Sequence, residues 1–302
     1  MNQFLLFEEI GRGHGTRSVI YRARKQNSIE YVAAKKAPKD QHAKIMKEAT
    51  YLNSVTHPNI VRFVTCANTD TANWVLMEFC GGGNLDSIIQ GEGMGFPEEC
   101  IRMFSTDLRS ALNYLHASGI LYCDLQPAKV LADGNGVLKL NDFEQATLFR
   151  EAQPLTEETL RESLTSPSFL YRAPETLIPG GIHSVASDIY SLGAVIHMLA
   201  FHRTPYTGST AGEVVRNTLR HGQVKIPASA SADLADLLNG CLKLDPAERM
   251  SWSVLVSHPF FKPSNKAFSP VVQVPAPPPP PPVVDEEDMS EAAKAEREME
   301  RE

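Results

Sequence analysis

Over residues 1 to about 80, apolar residues gather in short segments separated by polar turns. Phe4–Ile10, Ser18–Arg24, Tyr31–Lys35, Ile60–Cys66 and Trp74–Phe79 are rich in aliphatic and aromatic residues, the composition of β-strands. One interval differs. Within Gln41–Val55, Ile45, Ala49, Leu52 and Val55 recur at helical spacing. Five strands and one helix predict a small β-rich lobe.

After Gly81-Gly82-Gly83 the period becomes helical. A helix is predicted to start with Pro97 in its first turn, where a missing N–H costs nothing. Ile101, Phe104, Leu108, Leu112 and Leu115 form its apolar stripe, and Gly119 ends it. Two short strands are predicted around Val130–Leu131 and Val137–Leu140, joined by the turn Asp133-Gly134-Asn135-Gly136. Further helices are predicted near Asp188–Phe201, Gly212–His221 and Ala232–Leu242. No internal repeat is visible. The pattern predicts an α+β, bilobal chain: a small lobe at 1–80, a larger helical lobe at 81–262, a proline-rich linker at 263–284 and an acidic tail at 285–302. The run Pro277–Pro282 suits a stiff polyproline II rod. Such a rod is either a spacer or a ligand for an aromatic-grooved, polyproline-binding domain.

Composition narrows the function classes. No run of 18 apolar residues occurs, which argues against a membrane span. The start MNQFLLFEEI lacks the features of a secretory leader. Five scattered cysteines with no CxxC pair suggest neither a disulfide framework nor a zinc site, so a reduced, cytoplasmic setting is expected. The formal net charge is −7, but Asp285–Glu302 alone holds nine acids and three bases. The remaining body is nearly neutral, and no nucleic-acid partner is expected.

Several short motifs could carry chemistry. Ile10-Gly11-Arg12-Gly13-His14-Gly15 lies between two predicted strands, where glycines either let backbone N–H groups approach phosphates or simply form a tight hairpin. Val32-Ala33-Ala34-Lys35 is an apolar strand ending in a lysine that could neutralise phosphate charge. Glu48 falls on the buried side of the following helix and could pair with it; the alternative is two solvated surface charges. Beyond Val75–Cys80 a glycine hinge offers backbone to an adenine. Tyr122-Cys123-Asp124-Leu125-Gln126-Pro127 and Leu140-Asn141-Asp142-Phe143-Glu144 place two aspartates on neighbouring loops, suited to a base and a metal ligand. Tyr171-Arg172-Ala173-Pro174-Glu175 and Ser187–Gly193 complete an ordered series.

This series resembles the eukaryotic protein kinase family over roughly residues 4–262. Within it, Phe7–Gly13, Ile120–Asp124 and the atypical Pro127-Ala128-Lys129 look most like the Unc-51-like and Fused branch, including a member usually regarded as a pseudokinase. The resemblance implies ATP as ligand, with Gly11 and Gly13 in the phosphate loop, Lys35 on the phosphates and Glu48 fixing it. Met77 would be the gatekeeper, and the Glu78 carbonyl and Cys80 N–H would bond adenine. Ile20, Ala33 and Leu131 would sandwich the ring, with Asn84 facing the ribose. Asp124 would orient the acceptor hydroxyl and Asp142 would bind magnesium. Leu52, Phe63, Tyr122 and Phe143 would stack on an anchor at Asp188, and Glu175 would pair with Arg249. Ser168 is expected near Asp124. Thr156, Thr159, Ser163, Thr165 and Ser166 are candidate phosphorylation sites. His57 and His116 are read as structural. A protein partner or protein substrate is implied, and relatives in this branch suggest a cytoskeletal, ciliary or flagellar setting.

The chain departs from the family pattern at four places. The glycine loop is longer by two residues before Tyr21. Cys123 replaces the arginine that pairs with a phosphorylated activation loop. Gln126 replaces a catalytic-loop lysine. Lys129 replaces a metal-binding asparagine, and an ammonium offers only donors and repels a cation. Glu144, in place of a glycine, either adds a carboxylate or stiffens its loop. Two readings follow: an ATP-binding pseudokinase in which magnesium is weakly required or dispensable, or an active serine/threonine kinase with atypical metal use.

Overall fold

The computed structural model describes residues 1, 3–13, 17–163 and 167–262. The polyproline run, the acidic tail, His14–Thr16, Thr165 and Ser166 lie outside the described residues.

The first lobe is a five-stranded antiparallel sheet of order β1-β2-β3-β5-β4. Its strands are β1 (Phe4–Arg12), β2 (Val19–Lys25), β3 (Tyr31–Ala37), β4 (Phe63–Asn68) and β5 (Asn73–Glu78). Helix α1 (His42–Ser54) buries Ile45, Glu48, Ala49 and Leu52. Each strand alternates its side chains between two faces. Ala33, Val75 and Met77 join the main core, while Ala23, Val32, Ala34, Trp74 and Leu76 form a second cluster on the opposite face.

The second lobe is mainly helical, with α2 (Leu85–Glu92), α3 (Glu98–Ala117), α4 (Glu157–Ser163), α5 (Val185–Phe201), α6 (Ala211–His221), α7 (Ala232–Cys241) and α8 (Trp252–Val256). Short strands β6 (Ile120–Leu121) and β9 (Thr147–Leu148) pair, as do β7 (Val130–Ala132) and β8 (Leu138–Leu140). Helix α5 buries most of its residues and packs against α3, α7 and α8. One hydrophobic core runs from Ala33 in the sheet to Phe260 near the last described residues.

Several sequence expectations are corrected. Ile60–Arg62 is not part of β4, which begins at Phe63. Instead Val61 N–H donates to the Leu140 carbonyl on β8 of the other lobe at 2.9 Å, while the Arg62 carbonyl accepts from Glu78 N–H on β5 at 2.9 Å. Pro97 precedes α3 rather than occupying its first turn, and Val55 lies just beyond α1. Helix α5 starts at Val185, because Ser184 and Ser187 form a reciprocal cap. Helix α2 was not expected. Its signal was local: Asn84 caps it, and Leu85, Ile88 and Ile89 supply helical spacing.

Candidate active site

The two aspartates expected on neighbouring loops are brought together, and so are the two lysines. Lys35 on β3 sits 2.6 Å from Glu48 on α1 and 3.8 Å from Asp142. Lys129 lies 2.5 Å from Asp124 and 3.2 Å from the other oxygen of Asp142. The groups form one chain of alternating sign, Glu48–Lys35–Asp142–Lys129–Asp124, with three carboxylates and two ammoniums. Gln126 adds a hydrogen bond from its amide Nε2 to Asp124, 3.3 Å.

Local backbone geometry makes this convergence possible. Cys123 and Asp142 both adopt left-handed φ, 69° and 59°, which non-glycine residues rarely do. The first turn is held by Asp188 in α5, whose carboxylate accepts from the N–H groups of Tyr122 and Cys123 at 3.0 and 2.9 Å and from His116 Nε2 at 2.8 Å. The second turn is held by Phe143, fully buried with its ring edge-on to Tyr122 at 5.4 Å, and by the Tyr122 hydroxyl donating to the Asn141 carbonyl.

Burial and charge act against each other in this chain. Burial disfavours the charge on Lys35, but Asp142 and Glu48 outweigh it and raise its pKa. Lys129 is likewise penalised by burial, and Asp142 and Asp124 overcome this and lift its pKa well above the ordinary value. For Asp142, burial is overcome by Lys129 and Lys35, which lower its pKa. Glu48 goes the other way: burial raises its pKa despite Lys35. One of its oxygens has no hydrogen-bond partner among the described residues.

The apolar candidates Ala33 and Met77 lie in the main core, and Ile20 and Leu131 pack against it. Ala33 and Met77 are cross-strand neighbours on β3 and β5 and both are buried. Ile20 is opposite Lys35, and Leu131 bridges to Asn84. A Cβ on Gly11 would meet only Ile20 Cδ1, at 3.9 Å, so packing does not demand glycine there. Gly13 N–H donates to the Ser18 carbonyl, 2.8 Å. The side-chain oxygen of Asn84 accepts from Ser87 N–H at 2.8 Å and caps α2, a role not expected from the sequence. The Glu78 side chain turns away toward Lys139 on β8, 3.0 Å, and Arg62 N–H, 3.1 Å. Burial pushes the Cys80 thiol up to about 12, so it is a neutral packing group.

These donors fit a polyphosphate but not a pair of divalent cations. Both aspartates already have an oxygen on the Lys129 ammonium, and Asp142 also faces Lys35. A second cation would have to share carboxylates with two fixed positive charges.

Around this centre, Glu175 accepts a bidentate pair from Arg249, 2.7 and 3.1 Å. Three contacts escaped the sequence reading. Glu144 lies 4.0 Å from Lys44 on α1. Arg172 is buried and donates to His183 Nε2 at 3.0 Å. Leu155 N–H donates to Gly181 O at 2.7 Å while Gly180 N–H donates to Leu155 O at 2.8 Å, fastening the segment after Asp142. Ser168 is buried.

The chain is similar to known proteins over most of its length. The protein kinase domain family model matches residues 5–261. The serine/threonine-protein kinase RUNKEL of Arabidopsis thaliana is 36% identical over 262 residues, covering 87% of this chain and 19% of that protein. The serine/threonine-protein kinase ULK4 of Mus musculus is 33% identical over 285 residues, covering 87% and 22%. MAP3K epsilon protein kinase 1 of Arabidopsis thaliana is 29% identical over 272 residues, covering 88% and 19%. The chain thus spans about a fifth of the length of these relatives.

Proposed function

Since this chain belongs to the protein kinase domain family and is a serine/threonine kinase-like domain, we propose that it binds ATP as a pseudokinase. In this reading Lys129 stands where the family holds a metal-binding asparagine. The carrying observation is the double pairing of Lys129 with Asp124 and Asp142. It neutralises the residue that would orient a hydroxyl and the residue that would ligate magnesium.

The roles assigned to individual residues follow. Lys35, held by Glu48, meets the α- and β-phosphates. Ile20, Ala33, Met77 and Leu131 enclose the adenine, whose edge pairs with the Glu78 carbonyl and the Cys80 N–H. Asn84 keeps its amide donors for the ribose, because its oxygen caps α2. Gly11 and Gly13, lacking side chains, let the β1–β2 turn approach the phosphates closely, with Gly13 N–H held by the Ser18 carbonyl. Lys129 and Lys35 offset two of the nearly four charges of ATP, so magnesium is weakly required or dispensable. Asp142 remains the candidate ligand for any ion that does enter. The domain then acts through its surface on a protein partner, in the cytoplasm. The likeness to ULK4 supports placement in the Unc-51-like branch, with a cytoskeletal or ciliary setting as its corollary, and the proline run offers a ligand for a polyproline-binding domain.

The second reading is an active serine/threonine kinase with atypical metal use. The retention of Lys35, Glu48, Asp124 and Asp142 favours nucleotide binding in both readings and so keeps this one open. Removal of one electrostatic catalytic group costs ~10²–10³ in rate, and both Gln126 and Lys129 depart from the family pattern, which favours the first reading.

A thermal-shift titration separates them. ATP should stabilise the protein in EDTA almost as well as with magnesium, by about 2.7 kcal/mol at a hundredfold excess over Kd. Lys35→Met should abolish that stabilisation in a folded protein. Lys129→Asn should make binding depend on magnesium, and Lys129→Asn with Gln126→Lys should raise phosphotransfer to a generic peptide. A strict magnesium requirement in the natural chain, with ready peptide phosphorylation, would sink the pseudokinase reading.

A further inference from the structure

We propose that the free edge of β1, with Arg24 beside it, is a docking site for an extended acidic segment of a partner protein, which adds to the sheet as a sixth strand. The site lies away from the nucleotide centre and does not depend on the function proposed for it.

Among the described residues, strand β1 is the outermost strand and pairs only with β2. Edge strands expose a row of backbone donors and acceptors, and proteins usually blunt them with charges, proline or brevity. This one is nine residues long, and its first part, Phe4-Leu5-Leu6-Phe7, has neither charge nor proline. Leu5, Leu6 and Phe7 are 42%, 43% and 38% exposed. Pairing is regular over Phe4–Leu6, opposite Lys25, Arg24 and Ala23, and the register shifts only after Leu6. The outward groups can be assigned. Gln26 N–H donates to the Gln3 carbonyl, so odd-numbered residues here bond inward to β2. The N–H and C=O of Leu6 therefore face the open edge.

The chemistry of the occupant comes from the adjacent side chains. Arg24 lies directly opposite Leu5, and its guanidinium is 6.0 Å from the centre of the Phe7 ring. Arg22 is paired with Glu8 at 2.8 Å. Arg24 has no carboxylate partner among the described residues, and its buried Nε has no hydrogen-bond partner. The surrounding lobe is basic: residues 1–80 hold eleven lysines and arginines against seven carboxylates, in a chain of net charge −7. An extended peptide would gain main-chain bonds at Leu6, apolar contact with Leu5 and Phe7, and a charge-assisted bond at Arg24. Acidic residues at alternate positions would meet Arg24 on one face of the added strand.

The test uses two fluorescein-labelled ten-residue peptides, alternating valine with glutamate and valine with lysine, and fluorescence polarisation against the full chain. The glutamate peptide should bind with an affinity that falls as salt rises, and the lysine peptide should bind at least tenfold more weakly. Arg24→Glu should reverse that preference. Leu6→Pro, which removes an outward N–H and no ladder bond, should weaken the glutamate peptide at least tenfold. If Leu6→Pro fails to fold, the reversal by Arg24→Glu alone decides. No binding of the glutamate peptide, equal affinity for both peptides, or indifference to Arg24→Glu would overturn the proposal. So would a dimer of the natural chain dissociated by Leu6→Pro, since a second copy would then occupy the edge.

Discussion

His183 is an imidazole that the fold keeps neutral. Its Nε2 accepts from the buried Arg172, so the proton must sit on Nδ1, which has no partner among the described residues. Burial, reinforced by the Arg172 charge, lowers its pKa from 6.5 to about 4. Between those values the unfolded chain takes up a proton that the folded chain refuses. The stabilisation is therefore complete above pH 6.5 and is lost as pH falls toward 4. Replacing His183 with Gln should remove roughly 1–3 kcal/mol of that pH dependence. Urea unfolding of both proteins at several pH values measures it. Parallel stability curves across this window would show that His183 takes no part in the acid response.

At the scale of elements, the described residues from Thr147 to Thr159 are fastened by backbone hydrogen bonds. Strand β9 pairs with β6, Phe149 N–H donates to the Gly119 carbonyl at 2.9 Å, and Leu155 exchanges two bonds with Gly180 and Gly181. Helix α4 starts where Thr156 and Thr159 each accept the other's backbone N–H. Gly181 is the tightest point. A Cβ there would lie 1.8 Å from the Glu175 carbonyl oxygen, in the residue paired with Arg249. Gly181→Ala must push that backbone aside and should destabilise the protein by about 1–3 kcal/mol. It should also speed limited proteolysis between Glu151 and Ser163, because the Leu155 bonds shift with it. A variant with native melting and native digestion kinetics would show that this junction is soft.

At the scale of the whole molecule, the described residues form two lobes that share the main core. The main hydrophobic cluster includes Ala33, Met77 and Leu52 from the sheet lobe and Leu140, Ile189 and Phe260 from the helical lobe. Polar ties reinforce it. Asn59 Nδ2 donates to the Leu138 carbonyl at 3.1 Å, Leu140 N–H donates to Asn59 at 2.9 Å, and Lys139 pairs with Glu78. Lobes sharing a core in this way should unfold together. The two tryptophans report on each separately, Trp74 in β5 and Trp252 in α8. In urea, Trp74→Phe and Trp252→Phe should give fluorescence transitions matching the loss of helix by circular dichroism. Two separated midpoints in either variant would mean that the lobes fold independently.

The amino-acid sequence by itself determined the five strands of the sheet, the β7 and β8 pair and most of the helices, but not β6 or β9, because apolar residues at period 2 or 3.6 follow from local geometry and burial alone. It also determined the order of the motifs in which Lys35, Glu48, Asp124, Lys129 and Asp142 stand. Shorter elements such as α2 and α8 carry too few apolar positions to stand out, although Asn84 marked one start. What only the tertiary structure decided is who meets whom. Lys129 could have faced solvent or phosphate, and left-handed turns at Cys123 and Asp142 aim two loops so that it bridges both aspartates. Asn84 could have been free, and it spends its oxygen on a helix cap. Ile60–Arg62 read as strand, yet Val61 N–H crosses to Leu140 on β8 while the Arg62 carbonyl stays with Glu78 on β5. Pairings between residues distant in sequence depend on packing of the whole chain, which no local pattern encodes.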